Sequence, residues 1–330
     1  MLSRLSAAFD PLVRLLLLAI LLATIVPVTQ GWRPLAQGVS DAAIFLLFLL
    51  NGLRLPRAEV VKGARNARFL LPLIGWVFLA MGVAGYALSH LGAAILPEQV
   101  ALGLMFLGVL PSTVQSATAY SSLAGGNVAA SVVAAAVINL LGVFLTAALL
   151  SLLTGGEAFG VDTDGLQRIL TILVLPFALG QLLQGWIGHW VREHKSLATW
   201  MDRIAISIAV YVAFSGAVEQ GLWTRVDLTA WAALLGIVLA FLAIGFGGAW
   251  LLSGALKLDR PDRIAFLFAG AQKSIALGAP LAAVLFPPEV AGLLLLPVLL
   301  YHLLQLVLSA PFAARLRNAG STAPHPDAAC

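Results

Sequence analysis

Charge is what this chain has least of. Only 10% of its 330 residues are Asp, Glu, Lys or Arg while 61% are hydrophobic, against about 25% and 45–50% in soluble domains. A water-soluble globule is excluded, and the chain reads as an integral membrane protein. Cysteine is nearly absent too. The one thiol, Cys330, stands in a polar tail, so a disulfide framework and a cysteine-based metal site are excluded. No His-x-x-His-type metal spacing, no Gly-Lys-Ser/Thr phosphate loop and no nucleophile elbow occurs. Gln272-Lys273-Ser274 lacks the upstream glycines that a phosphate loop needs. Neither an enzyme nor a cofactor is expected. Long polar stretches are also missing, which leaves no room for a separate soluble domain. The net charge of +4 comes from basic residues in the loops between apolar runs. Orientation in a membrane accounts for them there, and nucleic acid is set aside.

What fills the chain is apolar segments of helix-spanning length. Backbone inside a bilayer must satisfy its own hydrogen bonds, so each is expected to be a helix. Ten can be marked: Pro11 to Val28, Leu35 to Leu53, Phe69 to Leu91, Gln99 to Ala124, Val128 to Leu153, Leu166 to Trp190, Ile204 to Leu222, Ala230 to Leu256, Ile264 to Phe286 and Ala291 to Leu316. The first resembles a secretory signal. However, no small-x-small cleavage site follows before Gln30, and Asp10 and Arg14 flank the run, so it reads as the first membrane helix. With the amino terminus inside, fifteen Lys and Arg fall on the cytoplasmic side and only Arg33, Arg168 and Arg225 on the other. That bias predicts both termini cytoplasmic in a cell (inner) membrane, with an even number of spans.

Ten spans divide into two halves of five, residues 1–153 and 154–318, followed by a short polar tail at 319–330 that is expected to be disordered. An odd number of crossings per half turns the second copy upside down, giving an inverted repeat. Ala58 to Ala67 is expected to lie along the membrane surface as an amphipathic stretch.

The fourth segment of each half is interrupted by polar residues, and paired interruptions of this kind point to a binding site. In span four, Pro111 is followed by Ser112, Thr113, Gln115, Ser116 and Thr118. Proline removes a backbone donor, and an unwound break would turn freed backbone groups toward a cavity. The bland alternative is a proline kink whose hydroxyls bond back to their own helix. In span nine, Gln272, Lys273 and Ser274 lie between Gly270 and Gly278-x-Pro280. Lys273 is the one basic residue near the middle of a hydrophobic run. A charge at that depth costs about 2.5–3.5 kcal/mol even on insertion scales, so a partner is required. Carbonyls freed at the break of span four could supply it, beside half-helix amino termini where anions also prefer to sit. The alternative is a lysine that snorkels to an interface. Gly125-Gly126-Asn127 makes a turn in which Asn127 caps the next helix, and Ser131 and Asn139 follow on one face of it. Ser131 is a possible ligand; Asn139 is equally interhelical glue. Asn51, Asp41, Gln181, Glu219, His302 and Gln305 are as readily packing or rim residues as ligands.

Three stretches, Phe48 to Leu53 (FLLNGL), Leu110 to Asn127 and Gly270 to Phe286, resemble the bile acid:sodium symporter family (solute carrier family 10), most closely its divergent seventh-member-like branch. The resemblance implies an all-α ten-helix fold of two inverted repeats. Spans one, two, six and seven would form a panel domain, and the other six a core domain in which broken spans four and nine cross. It also implies a sodium site, and several of its ligands fail here. Gln272 and Ser131 match, but the family's glutamate position is Phe268, its asparagine is Lys273 and a threonine is Ala135. The Ser-Asn pair of span four falls on Ala117-Thr118, or on Ser116-Ala117 if a residue is inserted.

The function expected from these readings is secondary transport of a small organic, anionic solute by alternating access. Lys273 would take over part of the sodium site, and the coupling ion would be sodium or a proton. Candidate solute and coupling residues are Pro111, Ser112, Thr113, Gln115, Ser116, Thr118, Asn127, Ser131, Gln272, Lys273 and Ser274, with sodium, if kept, at Ser131 and Gln272. The alternatives are an ordinary sodium symporter and a non-transporting regulator of ion or calcium homeostasis. The expected partners are the solute and the lipid bilayer; oligomeric state is left open.

Overall fold

The computed structural model describes residues 10–54, 66–155 and 167–321. Most of the amphipathic stretch expected at Ala58 to Ala67 and most of the tail at 319–330 lie outside them. Among the described residues every regular element is helical, and beside short turns at Gln30–Trp32 and Leu222–Arg225 there are twelve longer helices. In chain order these are α1 (Pro11–Ile25), α2 (Arg33–Arg54), α3 (Ala67–Gly92, with a wide π turn at Gly75–Ala80), α4 (Glu98–Val109), α5 (Val114–Leu123), α6 (Val128–Leu153), α7 (Leu175–Glu193, led in by a π turn at Ile169–Val174), α8 (Lys195–Glu219), α9 (Leu228–Ala255), α10 (Arg260–Ala271), α11 (Ile275–Leu285) and α12 (Pro288–Ser321). Eight of the spans so formed, counting α10 and α11 together, are long and apolar enough to cross a membrane. The pair α4–α5, bent by 59°, makes a ninth. The protein is therefore a multi-pass membrane protein. The expected first span is the short one: the 15 residues of α1 reach about 22 Å at 1.5 Å per residue, less than the roughly 30 Å hydrocarbon core.

Short polar residues set where many of these helices begin. Asp10, Thr113, Asn127, Asp227, Asp259 and Ser274 each cap one, accepting a backbone N–H from two or three residues further on. Of these caps the sequence reading named Asn127; one start it misplaced. Span seven, expected from Ile204, begins at Lys195, because polar residues of its first turns line a cavity rather than ending the helix.

Helices α1, α2, α7 and α8 form one group, with α2 packed on α7 and α8 packed on α1 and α2. In the other group α3 packs on α4, α4 on α12, α5 on α6 and α10, and α9 on α10. The two groups meet mainly where α8 lies along α12. At the centre of the second group, the core of the α10–α11 span is 94% buried, against 22% for α7 at the rim. Leu152, Leu182, Trp186 and Leu251 point outward where lipid would cover them. Glycines allow the closest crossings. A Cβ at Gly52 or Gly180 would run into the backbone of the other's helix, which locks α2 against α7 through small residues as membrane helices do. Gly180→Val should therefore cost about 1–3 kcal/mol of overpacking, read as a lower melting temperature of the detergent-solubilised protein. Gly185→Ala, on the same helix with open space around it, should leave melting unchanged. Equal melting of the two variants would show that the crossing is not tight.

Candidate functional site

The two breaks are extended segments at the centre of the second helix group. Helix α4 ends at Val109, Leu110 to Thr113 run extended, and α5 starts at Val114. Helix α10 ends at Ala271, and Gln272 to Ser274 run extended before α11. The segments cross, with Ser274 N–H donating to Pro111 O at 2.9 Å.

Unwinding leaves carbonyls at the end of α4 without helical partners, and each finds another. Gly108 O and Leu110 O accept from Lys273 Nζ at 2.7 and 2.8 Å, Val109 O from Thr146 Oγ1 at 2.9 Å and Ser112 O from Asn139 Nδ2 at 2.9 Å. The third acceptor of the lysine is Val77 O, at 2.8 Å, in the π turn of α3. It comes within reach because α3 and α4 cross at Gly85 and Gly108, where a Cβ would strike the opposite backbone. Lys273 is 1% exposed. Three carbonyl acceptors engage three N–H donors, a number that only the ammonium form carries. The charge also sits at the carboxyl end of α4, the end of a helix dipole that favours a cation.

The second break is held from α12. Gln305 Oε1 accepts Lys273 N–H at 2.8 Å, Gln305 Nε2 donates to Lys273 O at 3.0 Å, and Tyr301 OH donates to Ala271 O at 2.6 Å. Gln272 is bonded at both ends, with Oε1 accepting from Ser116 Oγ and Nε2 donating to Ser309 Oγ at 3.2 Å. Sequence reasoning left Gln305 undecided and passed over Tyr301 and Ser309. Their spacing was the available signal, since residues 301, 305 and 309 repeat every four positions on one helix face.

Between the two helix groups lies a cavity of about 920 Å³. Both breaks reach it through the half-helices that follow them. Thr113, Val114, Gln115 and Ser116 line it at the start of α5, and Ser274 to Leu277 at the start of α11. Two helix amino termini, ends that attract anions, thus face one space. Asn51, Asn139 and His302 add polar groups to walls otherwise built from side chains such as Leu47, Val143, Phe177, Ile206 and Leu306. Toward one end the lining becomes charged, with Arg54 paired to Asp202 and Arg203 lying 3.5 Å from Asp10. At the opposite end of α2 and α8, Arg33 bridges Glu219 of α8 and Glu289 of α12. There Gly216 abuts Pro288 with no room for a Cβ, so the two groups close on each other.

The expected site residues therefore separate. Thr113, Gln115, Ser116 and Ser274 line the cavity. Pro111, Ser112, Gln272 and Lys273 build the crossing behind it. Asn127 does neither: it caps α6 by accepting Ala130 N–H at 3.0 Å and donates to Asp262 Oδ1 at 2.8 Å, tying the α5–α6 turn to α10. Ser131 Oγ and Thr118 Oγ1 are buried without a hydrogen-bond partner among the described residues. Where the resemblance places a glutamate, Phe268 is fully buried and packs its ring against Tyr120 and Phe246. Among the described residues no cluster of three or more His, Cys, Asp or Glu could hold a metal.

The sequence model of the SBF-like CPA transporter family matches residues 10–318. The chain belongs to that family. It is 38% identical over 304 residues to an uncharacterized protein of Pseudomonas aeruginosa, covering 91% of this chain and 90% of the relative. It is 34% identical over 312 residues to a protein of Escherichia coli (strain K12) named "Putative symporter YfeH", covering 94% and 93%. The "Sodium/bile acid cotransporter 7" of Rattus norvegicus is more distant, at 24% over 297 residues, 85% of this chain and 83% of the relative. Membership places the chain in a family of membrane transporters.

Lys273→Met keeps the length of the side chain and removes every donor of its ammonium. It should leave three buried carbonyls short of a partner, each costing about 1–3 kcal/mol, and lower melting by several degrees. A variant that melts like the wild type would mean that the ammonium is not what holds the crossing.

Proposed function

We propose that the protein is a secondary active transporter of a small organic anion, working by alternating access in a cell (inner) membrane with both termini cytoplasmic. The carrying observation is a cavity faced by two half-helix amino termini and bounded by charged residues at one end, while at the opposite end of α2 and α8 Arg33 and its two carboxylates hold the helix groups together. The helix ends favour a negatively charged group, and the aliphatic walls suit an apolar body. In this reading α1 completes a set of ten spans, α1, α2, α7 and α8 are the panel, and the remaining helices are the core that rocks against it. An inverted repeat is supported by corresponding bonds. Asn139, on the helix after the first broken span, holds Ser112 O; Gln305, on the helix after the second, holds Lys273.

Lys273 serves in this proposal as a fixed cation in place of part of a sodium site. An ammonium ringed by three backbone carbonyls has the oxygen environment that a hard cation takes, but it cannot leave. Proton release would have to break one of its three bonds. A second reading keeps sodium as the coupling ion, supported by the partnerless buried hydroxyls of Ser131 and Thr118 and by the name of the more distant relatives. The residues around Gln272 suit this less, since its oxygen is already engaged by Ser116 and no carboxylate stands at Phe268.

Two measurements test these assignments. In proteoliposomes supplied with a library of organic anions, uptake that persists when sodium is replaced by choline supports the fixed cation, and uptake that stops supports sodium. Under the first outcome Lys273→Ala should reduce concentrative uptake at least tenfold, and wild-type uptake in that variant would sink the proposed role. For the closed end, Glu289→Gln frees α12 from Arg33 while Glu219 keeps the arginine in place. With Cys330→Ser as background and Val132→Cys as a cavity reporter, an impermeant maleimide added on the Arg33 side should label this variant several-fold faster than its parent. An unchanged rate would rule out the ion pair as a gate.

A further inference from the structure

The hydrogen bonds around Gln305 determine more than the position of the second break. A backbone N–H can only donate, so the bond from Lys273 N–H identifies the Gln305 atom it meets as the amide oxygen. The other end of that amide is then the nitrogen, with two hydrogens. One goes to Lys273 O, which can only accept, at 3.0 Å; the other points at Nδ1 of His302, at 2.9 Å. Nδ1 must therefore present a lone pair. A neutral imidazole carries one proton, and here it can only be on Nε2. His302 lines the cavity. The amide orientation and the ring tautomer thus follow from a single backbone donor rather than from a free choice between equivalent networks.

We propose that Gln305 is a positioning residue: locked by the backbone of Lys273, it holds His302 in the Nε2–H tautomer, so that the cavity wall beside α11 offers a hydrogen-bond donor and never a lone pair. The helix ends at Ser274 and Thr113 present donors too, and the alternative tautomer would place an acceptor among them. The arrangement selects a solute with an oxygen acceptor at this point, such as a carboxylate, carbonyl or hydroxyl, and disfavours one that can only donate, such as an ammonium. It also joins the cavity to the crossing, because the amide that sets His302 is the one bonded to both backbone groups of Lys273. The consequence for solute choice rests on the transporter reading; the tautomer does not.

The test uses the full-length protein labelled with ¹⁵N-histidine and reconstituted in lipid. The five histidines are separated by nuclear magnetic resonance, and His302 is assigned by its loss in His302→Asn. Expected for the wild type is a neutral ring with the proton on Nε2 and a bare Nδ1, read from the couplings of each nitrogen to the ring hydrogens. In Gln305→Met, which fills the same space without an amide, that fixed pattern should give way to exchanging tautomers. A wild-type ring protonated on Nδ1, or on both nitrogens, overturns the proposal whatever the variant does. An unchanged Nε2–H pattern in folded Gln305→Met also overturns it, since a merely structural glutamine would leave the tautomer alone. If Gln305→Met does not fold, Gln305→Asn, too short to reach both Lys273 and His302, is read in the same way. The predicted spectrum in a protein that carries no solute would refute the transporter reading and leave the positioning role standing.

Discussion

One ammonium holds the centre of this protein. Lys273 reaches from the break in the α10–α11 span to carbonyls on α3 and α4, so three strands of chain converge on a single charge. Neither partner is stable alone. An isolated ammonium in an apolar interior carries a desolvation penalty of several kcal/mol after relaxation, and the unwound end of α4 leaves carbonyls that lipid cannot satisfy. Each problem is the solution to the other. That reciprocity lets two helices be interrupted at the middle of the bundle, where an unpaired backbone would otherwise be excluded.

The rest of the site follows from the interruption. Because both spans restart after it, two new helix amino termini appear in mid-bundle, each capped by its own hydroxyl, Thr113 or Ser274, and each opening on the cavity. The helix after each broken span supplies a side-chain amide that bonds to the broken backbone, Asn139 in one case and Gln305 in the other. Polar groups that look scattered along the sequence therefore form two layers. Behind is a hydrogen-bonded layer that maintains the breaks; in front are Gln115, the two amino termini and His302, facing the cavity.

Much of this was legible in the sequence, for identifiable reasons. Membrane helices announce themselves because apolar runs have no other way to satisfy their backbone, and the breaks stand out because Pro111 and Lys273 are costly where they lie. The resemblance carried by Leu110 to Asn127 and Gly270 to Phe286 pointed to the family that residues 10–318 match. What could not be read was which polar residue faces where. Asn127 and Ser116 lie in one motif, but a turn of chain separates them, so Asn127 caps a helix while Ser116 lines the cavity. Tyr301, Gln305 and Ser309 were hard to weigh because their partners lie about thirty residues or more away in sequence, and only the crossing brings them together. The third acceptor of the lysine was harder still. Val77 is an ordinary apolar residue whose backbone does the bonding, and no side-chain pattern marks a carbonyl.

If, as proposed, a lysine stands in place of an ion, what the crossing can contribute to a transport cycle changes. A bound sodium ion couples because it leaves: affinity that depends on conformation lets its gradient bias the two states. An ammonium tied to the chain has a fixed effective concentration and no gradient. It can neutralise the end of α4 and keep the breaks open in both states, but it cannot drive a solute uphill. If uptake is concentrative, the driving force must then enter elsewhere, through the charge on the solute itself, through a proton, or through an ion at the spare hydroxyls of Ser131 and Thr118. Holding the site together and coupling it to a gradient are jobs that one ion can do at once; under the proposed reading the ammonium would take over the first and leave the second to another group.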